Sequence, residues 1–247
     1  MSKIYQDILD KKARREKMFA VLLDPEKCVD KLLYNVLKQL KYHHPDLIFI
    51  GGSGRCCNTE DLIKELNGIP VPKVLFPGDA SQFSPKADAL LFLSLISGRN
   101  LDYLIGQHVK SAIEIKKSAV EIIPTGYILI DGGTDSSVKR VSKTEPIGAD
   151  DIATACSTAV AGELLGMKMI YLEAGSGAKN PVSSEMITAV AAELSIPMIV
   201  GGGIKTTKQL KTAFDAGADL VVVGNLFEKE TERIGEFVQF VERYKLK

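Results

Sequence analysis

The sequence is poor in the residues that build thiolate metal centres and disulfide frameworks. Its 247 residues include four cysteines and three histidines. Two cysteines are adjacent, but there is no C-x-x-C spacing and no histidine at a zinc-like distance from a cysteine. We therefore expect neither kind of site. Long apolar runs are also missing: the nearest, ALLFLSLI at 89–96, is far shorter than the roughly 20 residues that span a bilayer.

An excess of charge of either sign is absent as well. Lysine plus arginine and aspartate plus glutamate number 31 each. The overall field therefore attracts neither nucleic acid nor an anionic membrane, and we expect no nucleic-acid partner. The first 19 residues mix charges with scattered apolar positions, which is typical of a helix rather than a signal peptide. Together with the few cysteines, this predicts a cytoplasmic location.

Eight short apolar runs recur along the chain, and each ends in glycine, aspartate, serine, proline or another residue typical of a strand end. The predicted strands cover 19–24, 47–53, 73–77, 89–95, 126–131, 169–173, 198–201 and 220–224. Helical patterns lie between most of them, at 28–42, 102–122, 150–165, 184–194 and 207–216. A chain of this length with this alternation predicts a single α/β domain over residues 1–247, a (β/α)₈ TIM barrel.

Two connections depart from the alternating pattern. Residues 77–89 are short and contain two prolines, so the helix between strands 3 and 4 is expected to be shortened or missing. Residues 132–149 are polar and show no clear period, which favours a mobile loop over the mouth of the barrel.

The segments IVGGGIKT at 199–206 and LVVVGNLF at 220–227 each run from a buried strand into glycine and then toward a helix. Glycines let backbone amides approach an anion, and the helix start adds partial positive charge. In TIM barrels the loops after strands 7 and 8 often bind phosphate in this way. The alternative is that these glycines only permit tight turns.

A third loop follows the strand at 169–173. Ser176 offers a hydroxyl group, and Gly175 and Gly177 leave backbone amides open, so this loop is suited to close a phosphate site. Glu173 would stand beside a phosphate ester, where a carboxylate can accept a proton from a neighbouring hydroxyl. The alternative is structural: Glu173 pairs with a barrel lysine or arginine, and Tyr171 fills the barrel.

Strands 1 and 2 end in Asp24 and near Ser53, at the same rim. One carboxylate and one hydroxyl, with the other positions left to water and substrate oxygens, form an arrangement suited to Mg²⁺ and a diphosphate. The alternative is that Asp24, which precedes Pro25, simply caps the next helix.

Five segments together resemble the geranylgeranylglyceryl phosphate synthase family: LLDPEK at 22–27, IFIGGS at 48–53, YLEAGSGA at 171–178, VGGGIKT at 200–206 and VVGNLFE at 222–228. The resemblance covers nearly the whole chain. It implies a Mg²⁺-dependent prenyltransferase that joins a long prenyl diphosphate, geranylgeranyl diphosphate in that family, to the primary hydroxyl of sn-glycerol 1-phosphate. The product is an ether-lipid precursor, and diphosphate is released.

The resemblance also implies roles for particular residues. Asp24 and Ser53 would be the metal ligands. Glu173 would take the proton from glycerol, with Tyr171 orienting it. The residues implied to contact glycerol phosphate are Tyr171, Leu172, Glu173, Ala174, Gly175, Ser176, Gly177, Gly202, Gly203, Gly224 and Asn225. Some relatives have threonine in place of Ser53, and shorter members carry Y-S-G after the glutamate, where this chain has A-G-S-G-A.

The prenyl tail needs an apolar trough outside the packed barrel core, and the short connection at 77–89 leaves room for one. We expect its walls to be Leu93, Leu95 and Ile96 at the end of strand 4 together with the helix that follows. In that helix, Tyr103, Leu104 and His108 are the candidates for the floor that limits the length of the tail. The alternative is that these residues only complete the core.

Further expectations concern rivals and partners. A phosphosugar isomerase or a thiamine-phosphate-type synthase would use the same phosphate loops, and a non-catalytic sensor of a phosphate ligand is the rival from another class. The small residues of 150–165 allow close contact between helices, which favours a homo-oligomer. A transient contact with a membrane surface for product release is a further expectation.

Overall fold

The computed structural model describes residues 4–52, 54 and 58–245 of the chain. In this part of the chain, eight parallel strands close into a barrel in the order β1 to β8, and the predicted TIM-barrel fold is confirmed. The strands are β1 (Met18–Leu23), β2 (Leu47–Ile50), β3 (Lys73–Leu75), β4 (Ala89–Leu95), β5 (Glu121–Leu129), β6 (Met169–Glu173), β7 (Met198–Gly201) and β8 (Leu220–Val223). The α-helices are α1 (Ile4–Ala13), α2 (Asp30–Leu40), α3 (Thr59–Glu65), α4 (Gln107–Lys117), α5 (Ser137–Ser142), α6 (Ile152–Leu164), α7 (Ser184–Glu193), α8 (Thr207–Asp215), α9 (Asn225–Lys229) and α10 (Arg233–Lys245).

Strand residues alternate between two apolar cores. Inward-facing residues such as Phe49, Leu91 and Tyr171 fill the barrel, while their neighbours pack between the strands and the outer helices. The leading helix α1 closes the amino-terminal end of the barrel, because Ile4 and Ile8 join the inner core. Any ligand therefore has to enter from the opposite end of the barrel.

Local sequence signals explain several helix starts. Ser183 and Thr206 accept backbone N–H groups at the first turns of α7 and α8, and the Gln209 side chain completes a capping box at α8. No helix in the described ranges combines the length and the apolar character that crossing a membrane requires.

The barrel wall is weakest between β3 and β4. Among the described residues these strands pair only through Val74 with Ala89 and Leu75 with Leu90, whereas β4 pairs with β5 from Ala89 through Leu95. In place of a crossover α-helix the connection carries a 3₁₀ turn, Ala80–Gln82. The predicted shortening of this helix is confirmed, and none of the described residues forms a strand pair with the outer part of β4 on its β3 side.

Two predicted boundaries differ from the observed ones. The sequence pattern placed a helix over 102–122 and a strand from 126, but α4 ends at Lys117 and β5 begins at Glu121. The apolar pair before Pro124 extends the strand instead, because proline cannot continue a helix. The segment predicted as an irregular loop at 132–149 contains the short helix α5, which is capped by Ser136.

Candidate functional site

A cavity of about 700 Å³ opens at the carboxyl ends of the strands. This volume lies within the roughly 300–1,000 Å³ of typical small-molecule sites. The loops after β1, β6, β7 and β8 line its polar part, and β4 with α4 lines its apolar part. The cavity therefore has two chemically distinct ends.

The loops after β6 and β7 have a backbone that favours glycine. Gly175, Gly177, Gly202 and Gly203 all have positive φ angles, between 71° and 101°. A β-carbon at Gly202 would lie 2.5 Å from Oε1 of Glu173, so a side chain here would collide with the carboxylate. Close approach of neighbouring atoms requires glycine at Gly175, Gly202 and Gly203, whereas at Gly177 only the positive φ favours it. Together they leave the cavity rim lined by backbone.

The loops after β6 and β8 are joined by a side-chain contact. The Ser176 hydroxyl donates to Oδ1 of Asn225 over 2.9 Å, and Asn225 is the first residue of α9. Ser176, Asn225 and Gly224 all line the cavity. The structure thus brings together the three glycine-containing loops that the sequence predicted.

Glu173 is a buried carboxylate at the end of β6 that faces the cavity. Its Oε1 accepts the Gly175 N–H at 2.7 Å, and the Tyr171 hydroxyl also donates to the carboxylate. Burial raises the pKa of Glu173 to about 7, although both hydrogen bonds act to lower it. No lysine or arginine of the described ranges forms an ion pair with Glu173, so the alternative of a paired structural glutamate is not supported.

Tyr171 belongs to an aromatic stack beneath Glu173. Its ring centroid lies 5.3 Å from that of Phe76 and 5.2 Å from that of Tyr127. Burial, with the nearby Glu173 charge, raises the pKa of both tyrosines well above 10, so both are neutral. Tyr171 fills the barrel, as its structural alternative predicted, and it also contacts the carboxylate.

Two members of the predicted contact run do not line the cavity. The side chains of Leu172 and Ala174 face the outer core, since side chains alternate between the faces of a strand. The predicted contact of these two residues with glycerol phosphate would therefore have to run through their backbone. Ala174 instead uses its N–H to bond the Gly201 carbonyl.

Asp24 stands at the rim beyond β1, with its side chain 18% exposed. Its Oδ1 accepts the Glu26 N–H at 3.0 Å. The alternative of a helix cap is wrong, because α2 begins at Asp30 and its cap position is Val29. A β-carbon at Gly52 would lie 2.9 Å from Oδ2 of Asp24, so the loop after β2 runs directly past this carboxylate.

The predicted metal ligand Ser53 lies outside the described residues. Its neighbour Gly52 contacts Asp24, and Gly54 contacts the Glu26 carboxylate. Within the described part of the chain no cluster of three or more histidines, cysteines or acidic residues could hold a metal. Mg²⁺ does not need such a cluster, because it commonly keeps several waters and takes one or two protein carboxylates with substrate oxygens.

Lys27 links the loop after β1 to α9. Its ammonium nitrogen lies 2.9 Å from Oε1 of Glu228 and 3.4 Å from Oδ2 of Asp24. Burial acts to lower the pKa of Lys27, but the hydrogen bond to Glu228 and the charges of both carboxylates outweigh it and raise this pKa. All three side chains line the cavity.

The apolar end of the cavity passes through the gap beside β4. Four residues of the predicted walls, Leu93, Leu95, Tyr103 and His108, line it, and Phe83, Ser111 and Ile115 extend it. Ile96 and Leu104 do not line it. A π-helical turn over Asp102–Gly106 shifts the facing positions, and Ile96 packs toward Gly126 and Gly162.

His108 is the titratable imidazole of this trough. It is buried, and its ring meets the Phe92 ring edge-on at 4.3 Å. Burial lowers the pKa of His108, although the backbone carbonyls of Ile105 and Leu93 act to raise it. The trough therefore holds a neutral imidazole rather than a charge at neutral pH.

Sequence reasoning missed two residues of the rim, Lys27 and Gln82. The buried Gln82 donates from Nε2 to the carbonyls of Gly52 and Gly54, at 3.0 and 2.7 Å, and accepts the Gly78 N–H. No local signal distinguishes a glutamine in a polar turn. Lys27 lies within the D-P-E-K motif, and this position was the available signal.

Residues 11–241 match the model of the PcrB family. A geranylgeranylglyceryl phosphate synthase from Flavobacterium johnsoniae is 50% identical over 233 residues, which cover 94% of this chain and 96% of the relative. The synthase of the same name from Korarchaeum cryptofilum is 37% identical, with 95% and 97% covered.

A solved structure agrees over the same length. The crystal structure of (S)-3-O-geranylgeranylglyceryl phosphate synthase from Thermoplasma acidophilum, in complex with its substrate sn-glycerol-1-phosphate, superposes with a TM-score of 0.89. The two sequences are 33% identical, and the match covers 98% of this chain and all of the other. These relatives carry the name that the sequence resemblance predicted.

Proposed function

Because the chain belongs to the PcrB family, we propose that it is a Mg²⁺-dependent prenyltransferase that joins a long-chain prenyl diphosphate to the primary hydroxyl of sn-glycerol 1-phosphate. Diphosphate is released, and the product is an ether-lipid precursor. Geranylgeranyl diphosphate is the donor we propose. The observation that carries this proposal is the two-ended cavity: a glycine-lined polar rim with a buried carboxylate continues into an apolar trough through the barrel wall.

The acceptor binds in this proposal at the loops after β6, β7 and β8. Backbone amides of Gly177, Gly202 and Gly203, with the Ser176 hydroxyl and Asn225, receive the phosphate. The Gly175 amide is already engaged by Glu173. The Thermoplasma acidophilum relative was solved in complex with sn-glycerol-1-phosphate. Fixing the phosphate orients the free hydroxyl, and such orientation supplies much of the rate of a group transfer.

Glu173 is the proposed general base. A carboxylate whose pKa is about 7 is partly ionised at neutral pH and has enough basicity to take the hydroxyl proton as the new bond forms. The hydrogen bonds from Tyr171 and Gly175 fix its orientation. Tyr171 acts through Glu173 and is a positioning residue in this scheme.

The donor head group is proposed to bind at Asp24 and Ser53. The Asp24 carboxylate fits a Mg²⁺ ion, because Asp24 lines the cavity and, among the described residues, the one ion pair of its Oδ2 is a 3.4 Å contact with Lys27. When bound, the ion would neutralise charge on the departing diphosphate. Asp24 and Glu173 stand on β1 and β6, three strands apart around the barrel, which leaves the space between them for the reacting carbon.

The prenyl tail is proposed to leave the mouth beside β4. The gap above Leu90 and the 3₁₀ turn in place of a helix leave apolar walls that include Leu93, Leu95 and Ile115. This trough argues against a phosphosugar isomerase or a thiamine-phosphate-type synthase, since their small polar substrates would not use it. The buried carboxylate of Glu173, which hydrogen bonds orient beside the phosphate loops, argues against a sensor without catalysis.

We also propose a cytoplasmic location and a transient contact with a membrane surface for release of the product. A homo-oligomer through α6 is supported by the exposed Leu164 and Leu165 at the end of that helix. Light scattering at micromolar concentration tests it, and a monomeric mass would contradict it.

Incubation with glycerol 1-phosphate, Mg²⁺ and a series of radiolabelled prenyl diphosphates tests the main proposal. We expect a radiolabelled prenyl ether of glycerol phosphate, with no product when Mg²⁺ is chelated. The 3-phosphate enantiomer serves as the acceptor control. Glycerol 1-phosphate binding without any turnover would favour the sensor, and turnover of a sugar phosphate would favour the isomerase.

A further inference from the structure

Lys27 is a charged residue of the cavity rim beside the proposed donor site. The Lys27 ammonium stands between two carboxylates, 2.9 Å from Glu228 and 3.4 Å from Asp24. The side chain of Lys27 is 46% exposed, and ion pairs with this much water contact contribute little to stability. Stability alone therefore does not account for a lysine held at this place.

The proposed donor needs a further cation. A prenyl diphosphate carries more negative charge than one divalent ion neutralises, and the charge on the leaving group grows as its bond to carbon breaks. Asp24 itself adds negative charge to that end of the cavity. An additional positive group next to Asp24 would balance this excess.

Within the described part of the chain, the other basic residues of the rim are not paired with Asp24. Arg140 on α5 is held by Asp135 and by the Ser137 hydroxyl. Lys205 follows β7, and Lys229 ends α9. Among the basic residues of the described ranges, Lys27 alone forms an ion pair with Asp24.

We propose, on the basis of the proposed function, that Lys27 binds the diphosphate of the prenyl donor and that Glu228 holds the lysine at the rim until the donor arrives. The contact with Asp24 is the longer of the two, so a cation bound at Asp24 does not have to break a short hydrogen bond. The ammonium then exchanges Glu228 for phosphate oxygens, and a flexible lysine stem permits this small movement.

Calorimetric titration with Mg²⁺ and inorganic pyrophosphate tests the assignment without turnover. We expect Lys27→Met to weaken pyrophosphate binding about tenfold, which is the low end for a lost charged hydrogen bond, and Lys27→Arg to retain most of it. Glu228→Gln removes the competing carboxylate, so binding is expected to become several-fold tighter. Binding of glycerol 1-phosphate is expected to change by no more than about twofold in each variant.

Pyrophosphate affinity is expected to fall in Lys27→Met and to rise in Glu228→Gln. These opposite changes distinguish a role in binding from a purely structural ion pair. If Lys27→Met and Glu228→Gln both weaken pyrophosphate and glycerol 1-phosphate to the same degree, the pair only braces α9 and the proposal fails. If Lys229→Met weakens pyrophosphate binding as much as Lys27→Met does, the effect comes from the overall electrostatic potential of the rim. That result would also overturn the proposal for Lys27. Lys211→Met, which breaks an exposed pair with Asp215 on α8, is the unaffected control.

Pyrophosphate binding by the wild-type protein distinguishes a wrong role for Lys27 from a wrong donor site. If it binds Mg²⁺ with pyrophosphate and Lys27→Met binds equally well, only the role of Lys27 is wrong. If the wild type does not bind pyrophosphate at all, the proposed donor site fails as well.

Discussion

The β6–β8 side and the β3–β4 side of the barrel mouth form their sites by opposite means. On the first side, complete strands end in glycine loops that crowd together, and the Gly202 backbone leaves no room for a β-carbon beside Glu173. On the second side, a short strand and a missing helix leave a gap through which the cavity extends. One fold thus provides a backbone-lined site where it is most tightly packed and an apolar trough where it is incomplete.

The largest effect is expected from Asp24→Asn, which tests whether the donor head group binds apart from the acceptor. Losing the carboxylate that holds the metal should remove several kcal/mol of transition-state stabilisation, or about 10³-fold in turnover. Binding of glycerol 1-phosphate, measured by calorimetry, should change by less than about twofold. A parallel loss of both would show that the two sites are not separate.

Glu173→Gln is expected to lower turnover by roughly 10²-fold, the usual scale for a positioned base. In the wild type, turnover should fall as the pH drops through about 7, because protonation removes the base. The variant should lose this inflection. A wild-type profile that is flat between pH 5.5 and 8.5 would leave Glu173 a structural residue.

The same residue predicts a pH effect on stability. Burial raises the pKa of Glu173 from 4.5 in the unfolded chain to about 7, so the folded state binds the proton more tightly. The wild type is therefore expected to lose stability, on the order of 3 kcal/mol, as the pH rises from about 4.5 to 7.

Thermal unfolding of the wild type and of Glu173→Gln at pH 5 and pH 8 measures this loss, because the glutamine does not titrate. The difference in Tm between the two proteins should move in favour of the variant at pH 8. A constant difference would contradict the raised pKa.

The smallest effect is expected from a substitution in the trough, on the preference for prenyl chain length. Ser111→Phe places a ring in the cavity and should shift the preference between a long and a shorter prenyl diphosphate by about tenfold, the scale for excluding apolar groups from a pocket. Leu104→Phe, on a residue that does not line the trough, is the matched control. If both variants keep the wild-type preference while they bind glycerol 1-phosphate, the tail lies elsewhere.

The parts of the site that sequence could predict are local ones. The loops at Gly175 and Gly202, the carboxylate of Glu173 and the interrupted connection before β4 each follow from a few adjacent residues. Leu104 was assigned to the trough because an α-helical period was assumed, and the π turn at Asp102–Gly106 changed that period. The fold class was predictable because eight apolar runs fit one barrel, and the family was predictable because five motifs along the chain point to the same one.

The pairing of Lys27 with Glu228 was not predictable from spacing. The two residues are 201 positions apart and meet because β8 returns to pair with β1 and closes the barrel. The contacts of Gln82 with Gly52 and Gly54 arise differently, because β2 and β3 are neighbours and the loops that follow them lie side by side. Neither kind of contact can be read from a local pattern, since each depends on how the strands are arranged in the barrel.

Gln82 connects the two ends of the proposed donor site, the loop that passes Asp24 and the turn beside the tail trough. Its amide binds the loop that passes Asp24 and also belongs to the 3₁₀ turn that borders the gap. Only an amide can donate to two carbonyls while accepting an N–H, so even the isosteric glutamate would turn attraction into repulsion. A single side chain therefore fixes the loop that passes Asp24 to the turn that borders the gap, and Gln82→Glu is expected to disturb both.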